Sequence, residues 1–579
     1  MTTESSFGTI ALCISGGGYR ASTFGLGTID MLELLGLLDD VKLISTVSGG
    51  SFTGVTYALS VADGKPYGAY FTEFYTFLKT TNCVQLALNE LYKPAAAVGR
   101  DDVSLIRAAS YIYDTKLFDR PGRTFSDLQA IVGDGKRFLE LIHNATEFRK
   151  GNSFRFRASH NPKVFAGNGD FLVSKEIAAT IPLADVVAAS SCFPGGFEPL
   201  RFPEDFLWAG GVEAAREELK KNVQTGAGPK PSGFKIGDNE CLSLPLMDGG
   251  IYDNQGISNA VEADRTVDKP IKPIIDLFLI CDTSARDEDM LRYPKPDERA
   301  GWLSIDMLFW AAAALFVFAL VSAGMLVYYL YTAVSIRHLP WLQIVFQYIS
   351  PIALFLVLAG ILGWLYDLFR KNKEIVISGA KFRLWPIIKK LSLPDAINMV
   401  KARVTSLGTM AGDVFMKRIR QLEFNDVMDS TRKSKVSFDL IYDLNPTIDR
   451  TDLWALDPEL EPTPEMKEIS ACAEAFPTTL WFPNVDTDPI ILEEDPKVKL
   501  CTEKHPDRPN LLLACGQCTT CFSLLKYLWR RWQEESRTDP ALPKPNDPAS
   551  AYFGIYTEMK KVWMQLKADP YSLVDRERA

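Results

Sequence analysis

Two strand-to-helix units in immediate succession open the chain, and they restrict its fold more than any other feature. Residues 9–14 are a short apolar run that enters Ser15-Gly16-Gly17-Gly18-Tyr19-Arg20-Ala21; residues 24–38 then carry apolar side chains at helical spacing and stop at Asp39-Asp40. Residues 41–46 repeat the strand pattern, and Ser48-Gly49-Gly50-Ser51 leads into the small, helix-compatible run 52–59. Strands that alternate with crossover helices lie parallel, so the expected class is α/β with a mainly parallel sheet flanked by helices. The second turn reads as a nucleophile elbow, a sharp strand-to-helix turn that lifts the Ser48 hydroxyl above the sheet at a helix N-terminus. Its spacing is that of G-x-S-x-G with Thr46 in the first glycine's place. An ordinary serine- and glycine-rich loop is the competing reading of this stretch taken alone.

The first turn admits three readings. Gly16-x-Gly18-x-x-Ala21 fits a dinucleotide fingerprint, but that motif needs an acidic residue at the end of the second strand, and Asp39 and Asp40 precede the strand instead. A Walker A loop fails because no Gly-Lys-Ser/Thr follows. An oxyanion hole remains: consecutive backbone N–H groups of Gly16, Gly17 and Gly18 at a helix N-terminus, with Arg20 adding positive charge for an oxyanion or a lipid phosphate. A plain tight turn is the alternative.

Further along, residues 65–132 are irregular and mostly helical, either a cap over an apolar site or an ordinary insertion. Residues 138–145 and 153–157 read as strands, 182–189 as a short helix opening on Pro182, and Ser190 to Phe197 as the turn that ends it. The apolar strand 242–247 ends in Asp248-Gly249-Gly250, which places a carboxylate at the end of a strand, where open α/β sheets carry their active-site residues. Residues 274–282 and 436–442 complete the strands.

Composition narrows the partners. A net charge of −9 argues against nucleic acid, whose phosphates call for a basic surface. Residues 1–8 are polar and show no secretory pattern, so the ten cysteines are expected to be reduced thiols in the cytosol. Cys515, Cys518 and Cys521 stand at spacing three in the tail; a metal there would need Cys501, His505 or Cys472 as a fourth ligand, with S-acylation or free helical thiols as alternatives. No metal and no cofactor is expected.

Residues 307–334 carry no charge over about 28 positions and residues 342–366 none over about 25, whereas roughly 20 apolar residues cross the hydrocarbon core. The intervening stretch 335–341 is short, so the two spans form an antiparallel hairpin. Arg292, Lys295 and Arg299 precede it and Arg370, Lys371, Lys373, Lys381 and Arg383 follow, against Arg337 alone between the spans. The positive-inside rule then predicts an integral membrane protein with the catalytic domain and both termini in the cytoplasm. Residues 381–404 mix aromatic, aliphatic and basic side chains, either a surface-lying membrane segment or an amphipathic core helix.

Gly16-Gly17-Gly18-Tyr19-Arg20, Ser48 and Asp248-Gly249-Gly250, in that order, resemble the patatin-like phospholipase family, which is related to the cytosolic phospholipase A2 and phospholipase B catalytic domains. Ser190 to Pro199 is similar to the family's Pro-Gly segment. The resemblance implies a three-layer α/β fold, a Ser48–Asp248 dyad without histidine, oxyanion donors at Gly16, Gly17 and Gly18, and a basic position at Arg20. The residues agree: a triad of the ordinary hydrolase order places histidine after the acid, yet His143 and His160 precede Asp248, His338 lies in the hairpin tip and His505 in the tail. The expected organisation is a catalytic main part at 1–302, a transmembrane hairpin at 303–370, a membrane-proximal return to the core at 371–450, and a mostly helical C-terminal extension at 451–579. The implied function is hydrolysis of fatty acyl esters of phospholipids or lysophospholipids at a membrane. A neutral-lipid lipase or acyltransferase on the same dyad, or a non-catalytic lipid-binding scaffold, is the alternative.

Overall fold

The computed structural model describes residues 7–91, 103–133, 135, 137–161, 166–168, 171–194, 196–208, 216–219, 243–266, 274–286, 305–333, 345, 349–371, 374–377, 380–383, 416–429, 432–445, 457–482 and 496–578. The chain divides into two compact units, residues 1–290 with 411–579, and residues 291–410.

The first unit is built on one sheet. Its strands are β1 (Ile10–Ile14), β2 (Val41–Val47), β3 (Glu140–Glu147), β4 (Asn152–Ser159), β5 (Ala166–Gly167), β6 (Leu172–Val173), β7 (Leu200–Phe202), β8 (Leu244–Asp248) and β9 (Leu277–Asp282). In the second unit β10 (Glu374–Ile377) and β11 (Ala380–Arg383) form an antiparallel hairpin, and β12 (Val436–Leu440) returns to the first. The strand order is β12-β9-β1-β2-β3-β4-β5-β6, with β8 paired to both β3 and β7. From β12 to β3 every pair is parallel, as the strand–helix alternation predicts. Beyond β3 the sheet turns antiparallel, because 140–159 is a hairpin whose short turn leaves no room for a crossover.

Period-2 alternation accounts for the buried strands. Ile10, Leu12 and Ile14 enter one core with Ile44, while Ala11 and Cys13 enter the other with Leu43 and Ile142. Both faces are covered, so the strands read as continuous apolar runs. One layer is α1 (Gly18–Leu34), α2 (Gly49–Ala62), α3 (Tyr67–Thr80), α4 (Cys83–Asn89), α5 (Leu105–Ile112), α6 (Phe125–Val132) and α7 (Leu183–Ser190). α8 (Ile257–Thr266) packs on the opposite face.

The second unit contains α9 (Ile305–Ala333) and α10 (Ser350–Lys371), which pack against each other. α11 (Met416–Asp429) belongs to the first unit, as do α12 (Pro464–Ala475), α13 (Pro496–Lys504), α14 (Arg508–Glu535) and α15 (Phe553–Ala568). The helical C-terminal region is thus part of the first unit's core. α14 lies along α1 so closely that a Cβ on Gly27 would sit 2.5 Å from the Leu513 carbonyl and one on Gly516 would sit 2.4 Å from that of Phe24.

By length and composition two described helices could cross a bilayer, Phe309–Thr332 and Arg508–Glu535, but 94% of the second helix's apolar window is buried inside the protein against 6% for the first. Apolar length in α14 therefore reflects a core helix, whereas α9 displays Trp310, Val327, Tyr328 and Tyr331 outward. The apolar part of α10 described here is Ile352–Trp364, shorter than the run read from sequence. Residues 335–341, Arg292, Lys295, Arg299 and Lys373 lie outside the described residues, as do 384–404.

One expectation is corrected. Cys472 and Cys501 are joined in a disulfide, because α12 and α13 lie side by side with Cα atoms 5.4 Å apart, a contact that spacing along the chain does not reveal. Cys13, Cys83, Cys192, Cys281, Cys515, Cys518 and Cys521 are free and buried.

Candidate active site

The sheet brings Ser48 and Asp248 together by an arrangement of edges. β4 occupies one whole edge of β3, from Glu140 to Glu147. β2 and β8 share the other edge: β2 runs parallel and reaches Asn144 with Val47, while β8 runs antiparallel and its last residue, Asp248, pairs with Ala145. Two strand C-termini thus meet head-on at adjacent positions of one neighbour. Ser48 follows Val47 directly, so the serine and the carboxylate face each other across this junction.

Ser48 has φ 50° and ψ −122°, and it is the one non-glycine residue with positive φ among the described residues. Such a conformation is costly for a residue with a side chain and persists only where its surroundings enforce it. The turn is tight enough that a Cβ on Gly49 would lie 2.1 Å from the Gly18 carbonyl oxygen, and one on Gly50 2.5 Å from that of Ile14. Thr46 fits because Gly54, one helical turn into α2, leaves space for its methyl group; a Cβ on Gly54 would sit 2.4 Å from Thr46 Cγ2.

Asp248 is buried at 2% exposure, and Ser48 is 9% exposed. Burial raises the aspartate's pKa to about 6, while the neighbouring Ser48 hydroxyl and the hydrogen bond from the Gly250 N–H act in the opposite direction. The Gly250 N–H donates to Asp248 Oδ1 at 2.7 Å, and Thr146 Oγ1 donates to the Asp248 carbonyl at 2.9 Å.

The glycine loop adjoins this pair, since a Cβ on Gly16 would lie 3.2 Å from Ser48 Cβ. Its donors are unequal. Gly16 N–H donates to the Asn254 carbonyl at 3.0 Å, so it is withdrawn from any oxyanion; the reason is that the loop after Asp248 folds back onto this turn. Gly17 and Gly18 carry N–H groups with no acceptor among the described residues. Tyr19 N–H donates to the Thr479 carbonyl at 2.5 Å.

Arg20 departs from its expected role. Its Nη1 donates to the carbonyls of Glu474 at 3.1 Å and Phe476 at 2.6 Å, and the side chain is buried. A cation spent on the end of α12 is not held out to a phosphate. Its sequence position, two residues past the glycines, suggested otherwise because the segment it binds lies in the distant C-terminal region.

Residues that the sequence did not single out support the turn. Ser190 Oγ accepts the Ser48 N–H at 2.9 Å, and Asn144 Nδ2 donates to the Thr46 carbonyl at 2.9 Å. His143 contacts Thr46 through Nδ1 at 2.7 Å, and its burial holds its pKa down to about 3, which leaves it neutral. A polar residue on a buried strand is the sequence signal that could have marked it. Cys515, Cys518 and Cys521 bond to three separate carbonyls, of Ile441, Pro570 and Met559. Among the described residues no group of three or more His, Cys, Asp or Glu could hold a metal. A cavity of about 520 Å³ is lined by Thr56, Leu59, Asp63 and Phe77, in the C-terminal half of α2 and along α3, at the opposite end of α2 from Ser48.

Residues 12–261 match the family model described as patatin-like phospholipase. They form a patatin-like phospholipase domain. It holds Ser48 and Asp248 and the glycine loop, and β9, β12 and the C-terminal helices extend its sheet and core beyond the matched region. Among solved structures the chain is similar to human GIVD cytosolic phospholipase A2, at 14% identity and a TM-score of 0.32 over 49% of this chain and 44% of that one. The same human enzyme in complex with methyl gamma-linolenyl fluorophosphonate gives 16% identity and a TM-score of 0.25, over 32% of this chain and 29% of that one. The chain spans less than half the length of these structures. No curated protein matches it.

Proposed function

We propose that this protein is a serine acyl hydrolase that cleaves fatty acyl esters of phospholipids or lysophospholipids at a membrane, with Ser48 as nucleophile and Asp248 as general base. The observation that carries this reading is the meeting of a serine at positive φ with a buried carboxylate, brought together by β2 and β8 ending at adjacent positions of β3. The patatin-like phospholipase domain supports an ester-linked lipid as the substrate class.

Asp248 takes the proton of Ser48 as Oγ attacks the ester carbonyl. With a pKa near 6 the aspartate is mostly ionised at neutral pH yet basic enough to accept that proton. The N–H groups of Gly17 and Gly18 stabilise the tetrahedral oxyanion, aided by the N-terminal end of α2. Asp248 then protonates the departing alcohol oxygen, which leaves an acyl-serine. Water attacks this ester while Asp248 removes its proton, and the collapse returns that proton to Ser48 and frees the fatty acid. No histidine enters the cycle.

The outward apolar face of α9 supports anchorage in the bilayer, with the catalytic unit on the cytoplasmic side. Holding the enzyme beside its substrate raises the effective lipid concentration. Steady-state hydrolysis of a soluble p-nitrophenyl ester by folded Ser48→Ala and Asp248→Asn proteins tests the dyad. Each is expected to lose about a thousandfold or more in kcat. Undiminished turnover by either would remove that residue from the mechanism.

A further inference from the structure

We propose that Ser190 is a positioning residue for this reaction, fixing Ser48 and Asp248 relative to each other by binding both turns at once. The inference rests on reading Ser48 as nucleophile and Asp248 as base.

Ser190 is the last residue of α7 and is fully buried, at 0% exposure. Its Oγ accepts the Ser48 N–H at 2.9 Å, and its carbonyl accepts the N–H of Gly249, the residue after Asp248, at 3.2 Å. Two residues on, the Cys192 carbonyl accepts the Asp248 N–H itself at 2.9 Å. One helix end thus grips the backbone on either side of the junction between β2 and β8. β2 and β8 are each registered on β3 but do not pair with each other, so α7 adds a direct tie between the two turns.

The Ser190 hydroxyl is itself held in place. It lies 2.8 Å from Ser51 Oγ, which lies 2.9 Å from Thr46 Oγ1, which lies 2.7 Å from His143 Nδ1. This chain of buried hydroxyls ends on β3, the strand that carries both registers. Removing the Ser190 hydroxyl leaves the Ser48 N–H buried without its acceptor, in a turn that already holds an unfavourable φ. The elbow then relaxes, and Oγ moves relative to the carboxylate. A misplacement of about 1 Å in such a centre costs roughly a hundredfold in rate.

The test uses full-length Ser190→Ala, Ser190→Thr, Ser51→Ala and Ser48→Ala proteins with a soluble p-nitrophenyl ester, read as kcat, KM, the pH profile and the thermal unfolding midpoint. Ser190→Ala is expected to lose about ten- to a hundredfold in kcat with KM within about twofold of wild type. The acid limb of its profile should move to higher pH, because the Ser48 hydroxyl that lowers the pKa of Asp248 is drawn away from the carboxylate. Ser190→Thr, which keeps the hydroxyl, should recover most of the rate. A Ser190→Ala protein with wild-type kcat, or equal losses in the Ala and Thr variants, would overturn the proposal. Should Ser190→Ala fail to fold, Ser51→Ala decides: a lowered kcat supports positioning through the hydroxyl chain, and wild-type kcat refutes it. Ser48→Ala separates the two levels, since activity surviving there rejects the nucleophile itself, whereas loss there with an unaltered Ser190→Ala rejects only the positioning role.

Discussion

Asp248 carries the acid–base work of the proposed cycle, and burial sets both its reactivity and its cost. Its pKa is raised from 3.8 to about 6, so kcat/KM should rise with pH through a single limb near 6 as the base ionises. A pH–rate profile on a soluble ester checks this, and a limb near 4 would mean that the carboxylate is solvated during turnover. The same shift bears on stability. A carboxyl whose folded pKa is raised contributes stability that is fully present below about 4 and is lost as the pH climbs through about 6. Asp248→Asn should therefore be more stable than wild type at pH 8, by on the order of 2–3 kcal/mol, and no more stable at pH 4. Urea denaturation at the two pH values reads the difference. Ser48, Asp248 and the glycines stand beside motif neighbours that announce them in sequence. Arg20 stands beside the same motif, but its partners, the carbonyls of Glu474 and Phe476, are backbone groups that no sequence pattern displays. The Gly16 N–H is likewise taken by a backbone group, the Asn254 carbonyl.

At the scale of elements, the fit between β2 and α2 decides whether the elbow forms. Thr46 occupies the place of a glycine, and the missing side chain at Gly54 supplies the compensating space. Gly54→Ala puts a methyl group where Thr46 Cγ2 already sits and should cost about 1–3 kcal/mol by overpacking. Thr46→Ser removes that methyl and keeps the hydroxyl bonded to Ser51 and His143, so the double variant should regain most of the loss. Chemical denaturation of the four proteins gives the coupling, and additive losses would show that the two positions do not share one space. The parallel strands were legible because each is a buried apolar run feeding a helix. β8 was legible as a strand, but its direction was not, since the antiparallel half of the sheet depends on which edge of β3 remained free. α14 shows the converse limit: its apolar length meets the test for a membrane span, and only its burial against α1 identifies it as core.

For the whole molecule, every strand of the large sheet, including β12 after the break, lies in the unit of residues 1–290 and 411–579. Replacing residues 303–370 with a short flexible linker should therefore leave hydrolysis of a soluble ester within about twofold of wild type, and should abolish sedimentation with phospholipid vesicles. Loss of soluble-ester activity with the fold retained would mean that the hairpin takes part in the site. Sequence suggested the hairpin through charge-free length, a property that survives without any knowledge of packing. Integration of the C-terminal helices into the core was not legible, because it depends on Gly27 and Gly516 meeting across more than the length of the matched domain. In the proposed cycle Ser48, activated by Asp248, is the group acylated by lipid. Intact-mass and peptide spectrometry after exposure of the full-length protein to a lipid-like fluorophosphonate tests it most directly. One covalent adduct on Ser48 is expected, formed much more slowly in Asp248→Asn and absent in Ser48→Ala; an adduct on another residue, or equal labelling of Ser48→Ala, would remove Ser48 as the nucleophile.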